Sequence, residues 1–339
     1  MKPFQKIQKC IALSGALLTL LFAASVQAAL LPFQSFVGNV AMSADGFGST
    51  SESGIIQASV PAGSTVLAAY LYSATNSSST VPTVTLDGTP VTFGAAVPNA
   101  TACCNLRSYR SDVTSIVASM INGGPGGIYS FDVTEGGLAT TEIDGEALII
   151  VYENASLPTA SVGLLDGFAS VTGDTTAINF ASPLSPSSPD FFAEMSLGIS
   201  FSCCGQQSTV NVNSQLLTNF AGNNDDNVDP SLSNGSLITV GGFDDPLIAS
   251  APGSYSDDSE RYDLSAFVED GDTTISVDTI NASQDDNIFF AGFYVSGVAG
   301  FNEDPDQDDD SNEVSAPSTV ALFSLSLLML ARLRKYKKV

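Results

Sequence analysis

Two eight-residue stretches decide how this chain folds: Arg110-Ser111-Asp112-Val113-Thr114-Ser115-Ile116-Val117 and Arg261-Tyr262-Asp263-Leu264-Ser265-Ala266-Phe267-Val268. They agree in residue type at seven of eight positions. After each come a glycine turn, a strand pattern (Ile128–Val133; Thr274–Asp278), an acidic loop and a long apolar run ending near Tyr152 or Tyr294. Upstream, Val66–Tyr72 with Thr83–Leu86 is echoed by Met195–Phe201 with Thr209–Val212. The chain therefore reads as two related units, residues 31–160 and 161–300.

Both units read as β. Ser64–Ser73, Val81–Phe93, Ile128–Thr134, Ala147–Tyr152, Phe191–Phe201, Ser208–Leu217, Thr273–Thr279 and Ile288–Val298 are rich in Val, Ile, Phe, Tyr and Thr. Turn formers separate them, among them Asp87-Gly88, Gly123–Gly127, Gly241-Gly242 and Asp270-Gly271. Long helical periodicity is absent, and Asp112–Ile121 is the one stretch that suits a short helix. Many short strands between polar turns predict an all-β fold of two related β-sandwich or jelly-roll units. The Asp-aliphatic-Thr/Ser run of each repeat, followed by glycine and a strand, is similar to a segment of galactose-binding-like jelly rolls, which implies that fold.

The two ends read as addresses. Lys2, Lys6 and Lys9 precede an apolar run from Ile11 to Ala24 and the small-residue exit Ser25-Val26-Gln27-Ala28-Ala29. That is the three-part pattern of an export signal, residues 1–28, cut after Ala28. At the other end, residues 314–339 read VSAPSTVALFSLSLLMLARLRKYKKV. An uncharged run from Thr319 to Ala331 meets Arg332, Arg334, Lys335, Lys337 and Lys338. A helix there is short for a full span of about 20 residues, and snorkelling basic side chains lengthen it. The basic cluster keeps to the cytoplasmic side, so the rest lies outside the inner membrane.

This tail, with Ser315, Ala316, Pro317, Ser318 and Thr319 ahead of the apolar run, resembles the PEP-CTERM signal handled by exosortases. Ser-Ala-Pro stands where the usual motif has Pro-Glu-Pro. The resemblance implies an exosortase-type processing enzyme as partner, anchoring in the inner membrane through the C-terminal helix before processing, then release to the cell surface or exterior, often alongside exopolysaccharide. Residues 301–313, with EDPDQDDDSNE at Glu303–Glu313, read as a solvated, self-repelling linker.

Composition excludes much chemistry. The 339 residues contain no His and no Trp. Ser-His-Asp and Cys-His nucleophiles, imidazole bases and His-ligated metals are therefore out. Between the two ends only Arg107, Arg110 and Arg261 stand against all 36 carboxylates, so nucleic acid is not a partner. That stretch has no lysine to serve as base for a serine nucleophile. A hydrolase would have to use paired carboxylates, and the candidates beside strands are Glu142, Asp144, Glu146 and Glu194. No spacing singles out a pair among them, so the expectation is no enzyme.

Cys103-Cys104 and Cys203-Cys204 are the cysteines left after an export signal is removed, and an oxidising compartment predicts disulfides. Three connectivities are open, and a four-thiolate zinc site suits adjacent cysteines poorly. Oxygen-rich loops carry Asp225, Asp226 and Asp229, and Asp285 and Asp286. Such loops suit Ca²⁺, which takes six to eight oxygens, and suit plain surface solubility as well. The arginine shared by the repeats, Arg110 and Arg261, predicts an Arg–Asp pair at a strand entry; the alternative is contact with a sugar or carboxylate. Tyr70, Tyr72, Tyr255 and Tyr262 are candidate stacking faces. Together these features describe an exported structural or adhesive β protein of the surface or matrix. A Ca²⁺-dependent carbohydrate-binding module is the alternative, and a carboxylate glycosidase the third.

Overall fold

The computed structural model describes residues 30–49, 51–76, 83–98, 106–136, 142–170, 173–201, 208–222, 238, 240, 260–281 and 287–305. They form four antiparallel sheets. One holds, side by side, β2 (Val40–Gly48), β10 (Ile143–Glu153), β4 (Thr65–Thr75), β8 (Arg107–Asp112) and β7 (Val97–Pro98). Its partner holds β3 (Ser53–Val60), β9 (Gly127–Gly136), β5 (Thr83–Leu86) and β6 (Thr89–Pro90). The third holds β1 (Leu31–Gly38), β11 (Ala160–Asp166), β18 (Asn287–Ser296), β13 (Ala193–Ser200) and β16 (Arg261–Asp263). The fourth holds β15 (Gln215–Ala221), β14 (Ser208–Val212), β17 (Thr274–Ile280), β12 (Asp174–Phe180) and β19 (Ala299–Phe301).

Strand order repeats. Number β2, β3, β4, β5, β6, β8, β9 and β10 from one to eight, and β11 through β18 likewise. Each group then pairs 1-8-3-6 in one sheet and 2-7-4-5 in the other. Three short or terminal strands stand outside this scheme: β7, β1 and β19. The N-terminal β1 joins the second group, running antiparallel to β11, before the chain enters the first group at Val40.

The sheets stack in four layers. A core of Ile56, Leu71, Phe131, Leu148 and their neighbours fills the first pair, and one around Met195, Val210, Val277 and Phe293 fills the second. A third core, with Tyr72, Ile149, Val162, Leu164, Phe289 and Phe290, joins the sheet of β2 to that of β11. Strands of these two inner sheets are covered on both faces, so β10 is buried from Ile143 through Tyr152 and β11 from Ala160 through Leu165. That demands continuous apolar runs, whereas the outer strands β3, β9 and β17 alternate buried with exposed residues. Close approach across the joint uses glycine: a Cβ on Gly292 would lie 2.8 Å from Met42 Cε.

The repeated octapeptides form the corner between strands six and seven. In each, the aspartate accepts the backbone N–H two residues on, Thr114 from Asp112 and Ser265 from Asp263. The following aliphatic residue, Val113 or Leu264, is buried, and its N–H bonds Ala69 or Ala193. The first copy continues as α1 (Thr114–Ile121), the helix expected there, and the second stops after one 3-10 turn, Ser265–Phe267. Among the described residues the structure is nearly all β, as expected. Ser208–Leu217 is not one strand, however: Asn213 and Ser214, at φ 48° and 64°, turn it into the β14–β15 hairpin. Among the described residues no helix is long and apolar enough to cross a membrane. The export signal and the sorting tail lie outside the described residues.

Candidate cleft at the joint between the units

Both repeat arginines face the joint between the inner sheets. Arg110, on β8, reaches across it and pairs with Asp166 at the end of β11. Its guanidinium lies 3.9 Å from the ring centroid of Phe33 on β1 and 5.6 Å from that of Tyr70. Phe33 meets Tyr70 edge-on at 5.2 Å, Tyr70 donates to Gln34, and Tyr72 donates to Asp166 at 3.5 Å. Burial pushes the Asp166 carboxyl up and outweighs the opposing pull of Arg110. Burial also raises Tyr70, and Tyr72 well beyond its ordinary value. Strand β1 thus closes this site.

Arg261, on β16, pairs within its own unit. Its Nη2 and Nε donate to the same oxygen of Glu194, at 2.6 and 3.2 Å. Glu194 stands on β13 where Tyr70 stands on β4, because Tyr70 faces Asp112 and Glu194 faces Asp263. Across the joint lie Ala41–Ala44 of β2, the first strand of the other unit, just as Arg110 faces β11. Among the described residues β2 has β10 as its only ladder partner, whereas β11 has both β18 and β1. Here a cleft of about 230 Å³ remains, lined by Ser43, Ser59, Tyr152, Glu194, Arg261 and Tyr294, with other residues of the two units. Burial pushes the Tyr152 and Tyr294 hydroxyls up to about 12. A groove of about 410 Å³ under residues 180–191 is wider but carries a single ionisable group, Asp190.

The other sequence candidates scatter. Tyr262 is tied to Glu260 inside the second unit, away from any stacking role. Glu142 precedes β10 and is partly exposed. Glu146 is buried inside the first unit, and Asp144 is buried where that unit meets the second. Asp144 accepts the Phe201 N–H at 2.7 Å, and burial pushes its carboxyl up to about 8. Glu146 meets Glu135 of β9, and burial first, then that neighbouring carboxyl, hold its pKa well above the ordinary value. Asp166, Phe33 and Glu135 carried no signal in the sequence. The cysteines 103, 104, 203 and 204, Asp225, Asp226, Asp229, Asp285, Asp286 and Tyr255, and the sorting motif 315–319, lie outside the described residues.

No described protein family matches the chain, and no curated protein does. Among solved structures that of PNGF-II, in a C2 crystal form, is similar at a TM-score of 0.25 and 10% identity, over 80% of this chain and 65% of that one. The chain thus spans just under two thirds of that protein's length, and a likeness so slight carries no argument about fold or activity.

Proposed function

We propose that the chain is a non-enzymatic, exported protein of two related jelly rolls, a structural and adhesive component of the cell surface or matrix. Residues 1–28 would direct export, 40–153 and 160–301 form the two units with β1 added to the second, the acidic stretch up to 313 would space them from the membrane, and 314–339 would present the sorting tail to an exosortase-type enzyme. The observation that supports recognition without chemistry is the state of the carboxylates. Glu194 is held by Arg261 in the cleft, Glu146 is sealed inside the first unit, and Asp144 is buried against Phe201 of the second. None of these candidate pairs faces an open site together, as a glycosidase requires.

Location is tested by fractionating cells that make the full chain and a variant lacking Ser315–Thr319. Full chain at the surface or in the medium, with the variant kept in the inner membrane, is expected; full chain in the cytoplasm refutes the reading. The cleft favours a second reading, a carbohydrate-binding module. Tyr152, Tyr294, Ser43, Ser59 and the Arg261–Glu194 pair offer fixed donors and acceptors of the kind that saccharide hydroxyls match. Exopolysaccharide fragments on an array, with Ca²⁺ and with EDTA, separate the two: signal lost in Arg261→Ala supports the module, and no signal on any glycan leaves the structural role.

A further inference from the structure

The first unit carries a buried acid pair that bridges its two sheets. Glu135 on β9 and Glu146 on β10 are 2% and 0% exposed, and their carboxyls hydrogen-bond each other across the sandwich. Ser49 donates to Glu135 Oε2 at 2.6 Å, and Ser73 donates to Glu146 Oε1 at 2.9 Å. No N–H or hydroxyl of another residue reaches Glu135 Oε1 or Glu146 Oε2. An ionised carboxyl only accepts, so the contact between the two acids exists only while one of them keeps a proton.

Nothing around the pair replaces that proton. On β10 itself, Asp144 adds its negative field to Glu146. Strand β8 places Tyr109 and Arg107 opposite Ser73 and Thr75 of β4, and Arg107 makes no ion pair among the described residues. Glu52 is exposed and meets the pair through its carbonyl, which accepts the Glu135 N–H. Strands β2, β3 and β5 bring Phe47, Gly54 and Val84. Two ionised carboxylates in contact, away from water and without a cation, oppose folding.

The second unit is the internal reference. Glu146 faces Ser73, and the matching pair there is Ala291 facing Leu197. Glu135 faces Val84, matched by Thr279 facing Val210. That unit's own buried acid, Glu260, accepts from the Gly222 N–H and the Tyr262 hydroxyl instead of meeting another acid. The excess of carboxylates over the whole chain acts on both units, so a response to pH confined to the first belongs to the pair.

We propose that Glu135 and Glu146 form a proton-operated latch: protonated, the pair ties β9 to β10 and keeps the first unit closed; ionised, it drives the two sheets of that unit apart while the second unit stays closed. Burial first, then the neighbouring carboxyl, hold Glu146 well above the ordinary carboxylate range. The folded unit therefore keeps a proton that the unfolded chain releases above about pH 4. The latch contributes fully below that pH, and its contribution shrinks as pH rises until the folded pair itself ionises. On a surface protein such a unit tightens in acid surroundings and loosens in alkaline ones.

The test is native-state hydrogen exchange of the purified full chain from about pH 5.5 to about pH 7.5, corrected for the intrinsic pH dependence of exchange. Peptides of β9 and β10 report the first unit, and those of β17 and β18 the second. In wild type the opening equilibrium of β9 and β10 should rise about tenfold more per pH unit than in a chain carrying both Glu135→Gln and Glu146→Gln, the mark of one proton. Strands β17 and β18 should respond alike in the two proteins. Equal slopes for β9 and β10 in the two proteins overturn the proposal. Infrared spectra of an Asp144→Asn chain at about pH 7 leave the pair intact and remove the neighbouring acid that burial raises to about 8. A protonated-carboxyl band there supports the latch, and its absence overturns it.

Discussion

Arg110 and Arg261 occupy the same place in the repeat, and their surroundings have gone separate ways. Around Arg110, strand β1 brings Phe33 over the guanidinium, and Asp166 arrives from the other unit. Around Arg261 the acid comes from the neighbouring strand of its own unit, and a cleft stays open. A repeated scaffold can thus use one arginine to fasten two sandwiches together and leave its twin beside an open cleft, although the two side chains are about equally exposed. The difference lies in what stands on the neighbouring strands: aromatic Tyr70 and Tyr72 on β4, polar Glu194 and Ser196 on β13.

That contrast is sharpest in stability. Arg110→Ala strands the mostly buried Asp166 and removes the ring contact, so we expect a loss of about 2 kcal/mol in urea unfolding. Asp166→Asn in the same background should restore part of it, because the amide carries no charge to strand. Equal, negligible losses at Arg110 and Arg261 would show that β1 contributes nothing at the joint.

The corners below the two arginines come next in size. Asp112 and Asp263 each accept a backbone N–H two residues on, but α1 runs for eight residues and its counterpart for three. Asp112→Ala should cost about 1 kcal/mol, because a helix start loses its acceptor, and Asp263→Ala less. The reverse order in denaturant midpoints would mean that the aspartate matters to the strand entry and not to the helix.

The octapeptides were readable because the corner they form needs an aspartate, a buried aliphatic and a hydroxyl residue in fixed order. The long runs ending at Tyr152 and Tyr294 were readable because strands covered on both faces must be apolar throughout. Strands β1, β2, β3, β11 and β12 left no clear trace. In β2, VAMSADGFG packs through Ala and Gly against the other unit, so small residues stand where strand propensity looks for branched ones. The β14–β15 turn hid because Asn213-Ser214 takes positive φ without a glycine. At the joint, Arg110 pointed to a nearby aspartate, but its partner is Asp166, which is distant in sequence, not Asp112. Register across a four-layer stack is a long-range property, and residue patterns alone do not carry it.

Removing Arg261 touches stability least. Its pair is exposed to the same extent as that of Arg110, but its acid comes from its own unit and no ring contact among the described residues accompanies it, so Arg261→Ala should cost no more than about 0.5 kcal/mol. Its effect belongs to the tyrosines beside it. Burial raises Tyr152 to about 12, the Arg261 charge opposes that rise, and the Glu194 charge adds to it. In the folded chain the phenol therefore holds its proton above pH 10, while the unfolded chain has already released it. The resulting stability is complete below pH 10 and fades as pH climbs through 12. Tyrosinate absorbance should show Tyr152 and Tyr294 ionising late among the nine tyrosines. Arg261→Ala should delay Tyr152 further, since a cation that favours the phenolate is gone, and Glu194→Gln should advance it. If both substitutions leave the absorbance curve in place, the ion pair does not govern the cleft, and the open site loses the electrostatic feature that sets it apart from the closed one.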